Sequence, residues 1–313
     1  MRDTGLDVIT LGETMVAFAA HEVAPLAAAT TFTKIAAGAE TNVGVGLVRL
    51  GLKVAWVSRL GTDSFGAYVR QAVGGEGVDC SAVVDDATRP TGFMLKSRAA
   101  EGEDPQVEYY RRGSAASALS MADFDEARFL RARHLHVTGI TPALSASAAE
   151  LVEHAMRFMR GHGRSVSFDP NLRPRLWPSR EAMAAHLNRL AGLADWVLPG
   201  LAEGRLLTGL QSPDEVAQFY LQQGAKAVVV KLGAEGAHWQ TGQGRGHVPG
   251  VPVARVVDTV GAGDGFAVGV ISGRLEGLDW PAAVARGNWI GAQAVQVVGD
   301  MEGLPHRHQL PTP

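Results

Sequence analysis

The sequence predicts an α/β fold, a mainly parallel central sheet with helices on both faces. Three observations point there. Short β-branched runs alternate with longer segments of helical period, the pattern of strand–helix–strand units. One run, AVVV at 227–230, is apolar without a break, as in a strand buried on both faces. Glycine is in excess, 38 of 313 residues or about 12% against a usual ~7%, which fits many tight turns and close backbone approaches.

Taken in order, residues 7–11 (DVITL) read as a strand and 40–50 (ETNVGVGLVRL) as a glycine-rich helix packed close to a neighbour. Residues 53–58 form the next strand, and 64–73 a helix starting at Ser64. Four more strands are expected at 134–138, 165–169, 195–198 and 226–232. Between them lie helices at 145–160, 179–193 and 212–223. Each opens with serine, a favoured N-cap because its hydroxyl accepts a free backbone N–H. Two stretches break the rhythm. Residues 16–37 are weakly periodic and end in FTKIAAG. Residues 89–112 read as two strands, TGFMLKSRA and QVEYYRR, joined by the polar loop AEGEDP. Such an antiparallel insertion commonly becomes a flap over a site at the carboxyl ends of the parallel strands. GQGRG at 242–246 has the wrong spacing for a dinucleotide-binding turn and reads as a hairpin loop. The tail HRHQLPTP is expected to fray.

Composition narrows the function. Hydrophobic residues make up 46% and charged residues 19%, which excludes a disordered chain. Lys and Arg total 29 against 32 Asp and Glu, a net charge of −3 that leaves no global footprint for nucleic acid or an anionic membrane. The six tryptophans are scattered, so no stacking platform for nucleic acid is expected. A single cysteine, Cys80, excludes a disulfide scaffold. The acidic opening, with Asp3, Asp7 and Glu13, does not read as a secretory signal, and no apolar run approaches the ~18 residues of a membrane span. A cytoplasmic protein is expected.

The strongest chemical signal is DTVGAGDGFAVG at 258–269. Gly261 and Gly263 can take backbone angles closed to other residues, just before an apolar helical run. The free N–H groups that open this helix, with its dipole, form a hole for an anion. Asp264 sits at its mouth. A carboxylate beside a phosphate cradle suits a base that takes a proton from a hydroxyl as its oxygen attacks phosphorus. An N-capping aspartate after a glycine turn is the alternative. No G-x-x-x-x-G-K-[ST] is present, so the chain is not a P-loop kinase.

Together with GAETNVGVGLVRLG (38–51) and GTDSFG (61–66), this segment resembles the ribokinase-like, or PfkB, carbohydrate kinase family, from about residue 6 to 300. The resemblance implies a three-layer fold and one kinase domain over 1–313. Lid segments at about 14–37 and 89–115 would be inserted in it as a small β-sheet. It implies ATP and Mg²⁺, with a monovalent cation as an option, and a homo-oligomer paired through the lids. By the same resemblance Asp264 is the catalytic base, and the backbone of Gly261, Ala262 and Gly263 stabilises charge on the transferring γ-phosphoryl. KLGAEGA (231–237) is similar to the family's segment under the nucleotide, which makes Lys231, Gly233 and Gly236 nucleotide-binding candidates. Asn288 and positions 206–209 are candidates for the adenine site. The family's N-x-x-E metal motif reads Gly200-Leu201-Ala202-Glu203 here. Glu203 is retained and would orient water on Mg²⁺, whereas glycine replaces the asparagine.

Substrate class is read from two further segments. EYYRRGSAAS at 108–117 puts Tyr109 and Arg111 on one strand face, Tyr110 and Arg112 on the other. An arginine beside a tyrosine hydroxyl suits a carboxylate, because the guanidinium fork binds both oxygens. A solvated basic edge is the alternative. DPNLRPRLW at 169–177 ends a strand at the expected site edge. Arg173 there can reach substrate or nucleotide phosphates, and Arg175 reads as structural. These segments resemble the 2-keto-3-deoxygluconate kinase branch. That resemblance places Gly38, Asn42, Tyr109, Arg111, Ile140 and Arg173 around a small sugar acid whose terminal hydroxyl receives the phosphoryl group of ATP. Two alternatives stay open: a neutral-sugar kinase of fructokinase or ribokinase type, and a sugar-sensing homologue without turnover, which Gly200 would favour. The pairs His134/His136 and His306/His308 lack a third ligand at metal spacing, so neither is expected to bind metal.

Overall fold

The computed structural model describes residues 5–98 and 105–311. Strand β1 (Leu6–Leu11) pairs in parallel with β4 (Val54–Gly61) and β8 (Ala132–Thr138), and β5 (Asp79–Asp86) follows β4 at one edge. Beyond β8 come β9 (Ser165–Asp169), the short β10 (Trp196–Val197) and β11 (Ala227–Lys231), all parallel. The antiparallel hairpin of β12 (Ala237–Thr241) and β13 (Arg245–Val248) closes the other edge, with GQGRG at its tip. Among the described residues this makes nine strands in one sheet.

Side chains alternate along each strand, and both faces are apolar. In β1, Ile9 and Leu11 enter one core and Val8 the other; in β11, Val228 and Val230 oppose Val229. That is why AVVV reads as an unbroken run. One core is covered by α4 (Ala146–Gly161), α5 (Arg180–Ala191) and α7 (Pro213–Gln222), which contribute Leu151, Met156, Leu187 and Tyr220. The other is covered by α1 (Ala39–Arg49), α2 (Ser64–Gly75), α8 (Ala262–Leu275) and α9 (Trp280–Ala294). Helices therefore lie on both faces. Two short helices, α3 (Glu126–Arg131) and α6 (Leu201–Thr208), join elements at the rims.

Local chemistry sets the helix starts. Ser145, Ser179 and Ser212 each accept the N–H three residues on, as expected. Helix α2 differs: Asp63 is its cap, accepting from Gly66 at 2.8 Å, and Ser64 is the first helical residue. The carboxylate makes the same hydrogen bond as serine and adds a favourable charge at the helix's positive end. The tail also departs from expectation. Residues 307–309 form a 3₁₀ turn, held by Arg307, which donates to the Leu50 carbonyl at 2.8 Å and pairs with Glu276 at 2.7 Å.

A second sheet is built from the two stretches that broke the sequence rhythm. β2 (Met15–Ala20), β3 (Phe32–Ala37), β6 (Phe93–Lys96) and β7 (Val107–Tyr110) lie in the order β3-β2-β6-β7. The pair β2–β6 is parallel and the two outer pairs are antiparallel. Most of the AEGEDP loop lies outside the described residues. One face of this small sheet carries Met15, Ala17 and Met94 in an apolar cluster of its own. The other carries Phe18 and Phe93, which meet Phe65 of α2 edge-on or tilted, while Tyr110 stacks on Phe93 at 4.6 Å. This aromatic face seats the small sheet on α2.

Candidate active site

Beneath the small sheet, at the carboxyl ends of β8, β9 and β11, lies a cavity of about 370 Å³. Helices α1 and α8 both begin at its wall. They cross closely: a Cβ on Gly46 of α1 would lie 2.5 Å from the Val268 side chain of α8. This approach lets Asn42 Nδ2 donate to Asp264 Oδ2 at 2.7 Å.

Gly261 precedes α8 with φ +82°, and a Cβ there would lie 2.4 Å from the Asp300 carbonyl oxygen, so only glycine fits. Among the described residues no side chain caps the helix start. The first N–H groups of a helix have no partner inside it, and here their positive end opens into the cavity, which Gly261 and Gly263 line on either side of Ala262. Asp264 is 8% exposed. Burial pushes its pKa up to about 7, helped by Asp169 and Asp300 and opposed by the Asn42 hydrogen bond and the Lys231 charge. Such a carboxyl is a competent base at neutral pH.

Lys231, at the end of β11, pairs with Asp169, at the end of β9, at 2.6 Å. Its ammonium lies 3.5 Å from where a Gly263 Cβ would stand, so it faces the anion-binding turn. Burial works against the Lys231 charge, but Asp169, Glu203 and Asp264 outweigh it and hold its pKa above the usual lysine value. Burial pushes Asp169 up to about 6, with Lys231 opposing and Glu203 adding to the rise. Glu203 accepts the N–H of Leu172 through Oε1 and that of Gly200 through Oε2, each at 2.8 Å. It thereby caps α6 and fixes the loop that carries Arg173.

The sugar-side candidates gather on the same cavity. Gly38, Asn42, Tyr109, Arg111, Ile140 and Arg173 all line it. A Cβ on Gly38 would lie 2.6 Å from the Glu13 carbonyl, which accounts for glycine there. Arg111 is not a free clamp: its Nε donates to Glu13 Oε2 at 2.6 Å, and the Ser114 hydroxyl donates to the other oxygen. Arg173 donates only to uncharged oxygens, the Asn171 side chain at 2.7 Å and the Leu172 carbonyl at 2.9 Å. Asn171 itself has φ +38°, and asparagine tolerates that region better than most residues. Among the described residues, Arg173 is the one cation of the cavity wall without a carboxylate partner.

Residues 6–307 match the pfkB family carbohydrate kinase model. The chain belongs to this family. A 2-dehydro-3-deoxygluconokinase of Bacillus subtilis is 53% identical over 306 residues, covering 97% of this chain and 94% of that protein. A PfkB protein of Polaromonas sp. JS666 superposes with a TM-score of 0.89 at 57% identity, over 97% of this chain and 98% of that one. A ribokinase II of E. coli, in complex with ATP and Mg²⁺, superposes with a TM-score of 0.89 at 27% identity, over 97% of each chain.

Not every candidate of this PfkB kinase reaches the cavity. Gly233, Gly236 and Asn288 do not line it. Gly236, with φ +97°, packs against the Val248 carbonyl, where its Cβ would lie 2.1 Å away. Asn288 donates to the carbonyls of Val248 and Pro249 at 3.1 and 3.0 Å, fastening α9 to the end of the hairpin. Gly233 faces open space. Positions 206–209 end α6, with Gly209 as its left-handed C-cap. Conversely, no motif marked Glu13, Lys96 or Asp300 as cavity residues. The available signal was the period of two: Met94 and Lys96 share a face in β6, as Tyr109 and Arg111 do around β7. His134 and His136 are bonded to Ser165 and Ser167 within the sheet, and burial holds both imidazoles neutral. Among the described residues no group of three His, Cys, Asp or Glu side chains could hold a metal ion, and no helix is long and apolar enough to cross a membrane.

Proposed function

We propose that this chain is an ATP-dependent 2-keto-3-deoxygluconate kinase, forming 2-keto-3-deoxy-6-phosphogluconate. The observation that carries the reading is the placement of a base, an uncapped helix start and an unpaired arginine on one cavity wall. The resemblance to a 2-dehydro-3-deoxygluconokinase supports the choice of acceptor.

In this reading Arg173 holds the carboxylate of the sugar acid as a two-pronged donor. The far hydroxyl then lies toward Asp264. As that oxygen bonds to the γ-phosphorus, the bond to the β,γ-bridging oxygen breaks, ADP leaves, and Asp264 takes the hydroxyl proton. The N–H groups of Gly261, Ala262 and Gly263 and the Lys231 ammonium hold the charge that spreads over the transferring phosphoryl. Asn42 keeps the Asp264 carboxylate aimed. Mg²⁺ bound with the nucleotide would neutralise phosphate charge. Asp169 and Glu203 fit it through its waters, since each Glu203 oxygen accepts one N–H and keeps a lone pair. The small sheet over the cavity excludes the water that would otherwise hydrolyse ATP.

One observation favours a second reading. Glu13 already neutralises Arg111, which leaves one free arginine and would suit a neutral sugar. ADP release with ATP and Mg²⁺ over 2-keto-3-deoxygluconate, its galactonate epimer, gluconate, fructose and ribose separates the two. Turnover confined to the keto-deoxy acids supports the proposal. Turnover on fructose or ribose alone keeps a sugar kinase and removes the acid.

A further inference from the structure

Lys96 ends β6 in the small sheet, yet its ammonium is buried against the loops that precede α8 and follow α9. The residue is 4% exposed. Its Nζ donates to Asp258 Oδ2 at 2.6 Å and reaches Asp300 Oδ1 at 3.5 Å, and both aspartates are themselves buried. Neither carboxylate lies in the small sheet. They bracket the anion-binding turn from its two sides.

Asp258 Oδ1 accepts the N–H of Val260, the residue before Gly261, and so fixes how the chain enters the turn. The carbonyl of Asp300 is the wall against which Gly261 folds, the 2.4 Å approach that excludes any Cβ. Between them, the N–H groups of Val257 and Asp258 donate to the Val295 carbonyl at 2.7 and 3.3 Å. Without Lys96, two buried carboxylates would face each other beside the turn with no cation between them. A buried ammonium is costly unless fully paired, and a methionine would fill the same space without that cost. The charge is therefore kept for what it holds together.

We propose that Lys96 is a positioning residue for phosphoryl transfer: with the small sheet seated over the cavity, its ammonium draws Asp258 and Asp300 together and so sets the shape of the Gly261 turn. Covering the cavity and completing the anion hole thereby become one event. The proposal rests on the kinase reading above. It assigns Lys96 no contact with reacting atoms and acts through Asp258 and Asp300.

The test compares wild type with Lys96→Met, Lys96→Arg and the double variant Lys96→Met/Asp300→Asn, on whichever acceptor the wild type phosphorylates. Lys96→Met should lower kcat by about 30-fold or more while the acceptor KM stays within about threefold, because the loss falls on the transition state. Lys96→Arg should recover most of that loss. Neutralising Asp300 in the Lys96→Met background should recover part of it, since the unpaired carboxylate is then gone. Lys96→Ala gives a second readout: added ammonium should restore its kcat saturably with no change in melting temperature. A Lys96→Met enzyme with wild-type kcat overturns the proposal. So does a loss that only follows melting temperature and is rescued by neither arginine nor ammonium. An inactive wild type on every acceptor overturns the kinase reading itself, which a merely indifferent Lys96→Met does not.

Discussion

As the base of the proposed transfer, Asp264 has to be ionised, yet it is buried among other carboxylates, and its pKa of about 7 reflects that conflict. The rate should follow it. kcat/KM for the acceptor is expected to fall about tenfold per pH unit below 7 and to level off above, as for a base that must be deprotonated in the free enzyme. Asp264→Asn should lower kcat by about 10³-fold or more with the acceptor KM little changed, since the lost proton acceptor matters only as the hydroxyl attacks. The same substitution should stabilise the fold in a pH-dependent way. A carboxyl whose folded pKa is raised is neutral in both states below pH ~4, and the folded protein loses stability as pH rises through about 7. Asp264→Asn is thus expected to melt a few degrees above wild type at pH 8, with the gap closing toward pH 4. Arg111 gives the opposite case. Its sequence setting suggested a substrate clamp, but no spacing rule ties Glu13 to it across 98 positions. Arg111→Ala leaves Glu13 buried and unpaired, which costs about 3–5 kcal/mol. A lower melting temperature, partly restored by adding Glu13→Gln, is the expected result; an unchanged melting temperature with weaker sugar binding would return Arg111 to the clamp.

At the scale of elements, the site depends on where α1 and α8 cross. Gly46 lies one turn beyond Asn42, and its missing Cβ lets the helices close. Gly46→Val should push them apart, lengthen the Asn42–Asp264 contact, and cost about 1–3 kcal/mol of stability by overpacking. Its kcat should fall more than its KM rises, and a variant that melts early but turns over normally would break the link between this crossing and catalysis. Much at this scale was legible. The serine-opened helices on one face and the β-branched strands carry their own local signals, a cap hydroxyl or a buried run. β5 was not, because its burial alternates weakly along a polar edge strand. β2 escaped for the opposite reason: nearly every residue of MVAFAA is buried, so no period of two survives. The motif at 258–269 was legible because backbone geometry forces glycine, and glycine shows in a sequence. Lys96 and Asp300 were not, because a buried ion pair between a strand of the small sheet and a loop 204 positions away leaves no local pattern.

At the scale of the molecule, two sheets share one cavity, and charge is nearly balanced within it. Of the four cations that the described residues place on its wall, Lys96, Arg111 and Lys231 each pair with a carboxylate of the chain. Among the described residues Arg173 does not, and in the proposed kinase it takes the substrate's own carboxylate. The most direct test removes that carboxylate and that arginine separately and together. It compares kcat/KM for 2-keto-3-deoxygluconate with that for 3-deoxyfructose, which bears a hydroxymethyl group instead, in wild type and Arg173→Ala. Wild type should prefer the acid by about 100-fold or more, and Arg173→Ala should shrink that preference to within about tenfold, because the two changes delete the same interaction. Equal use of both sugars by wild type, or a preference that survives in Arg173→Ala, would contradict it.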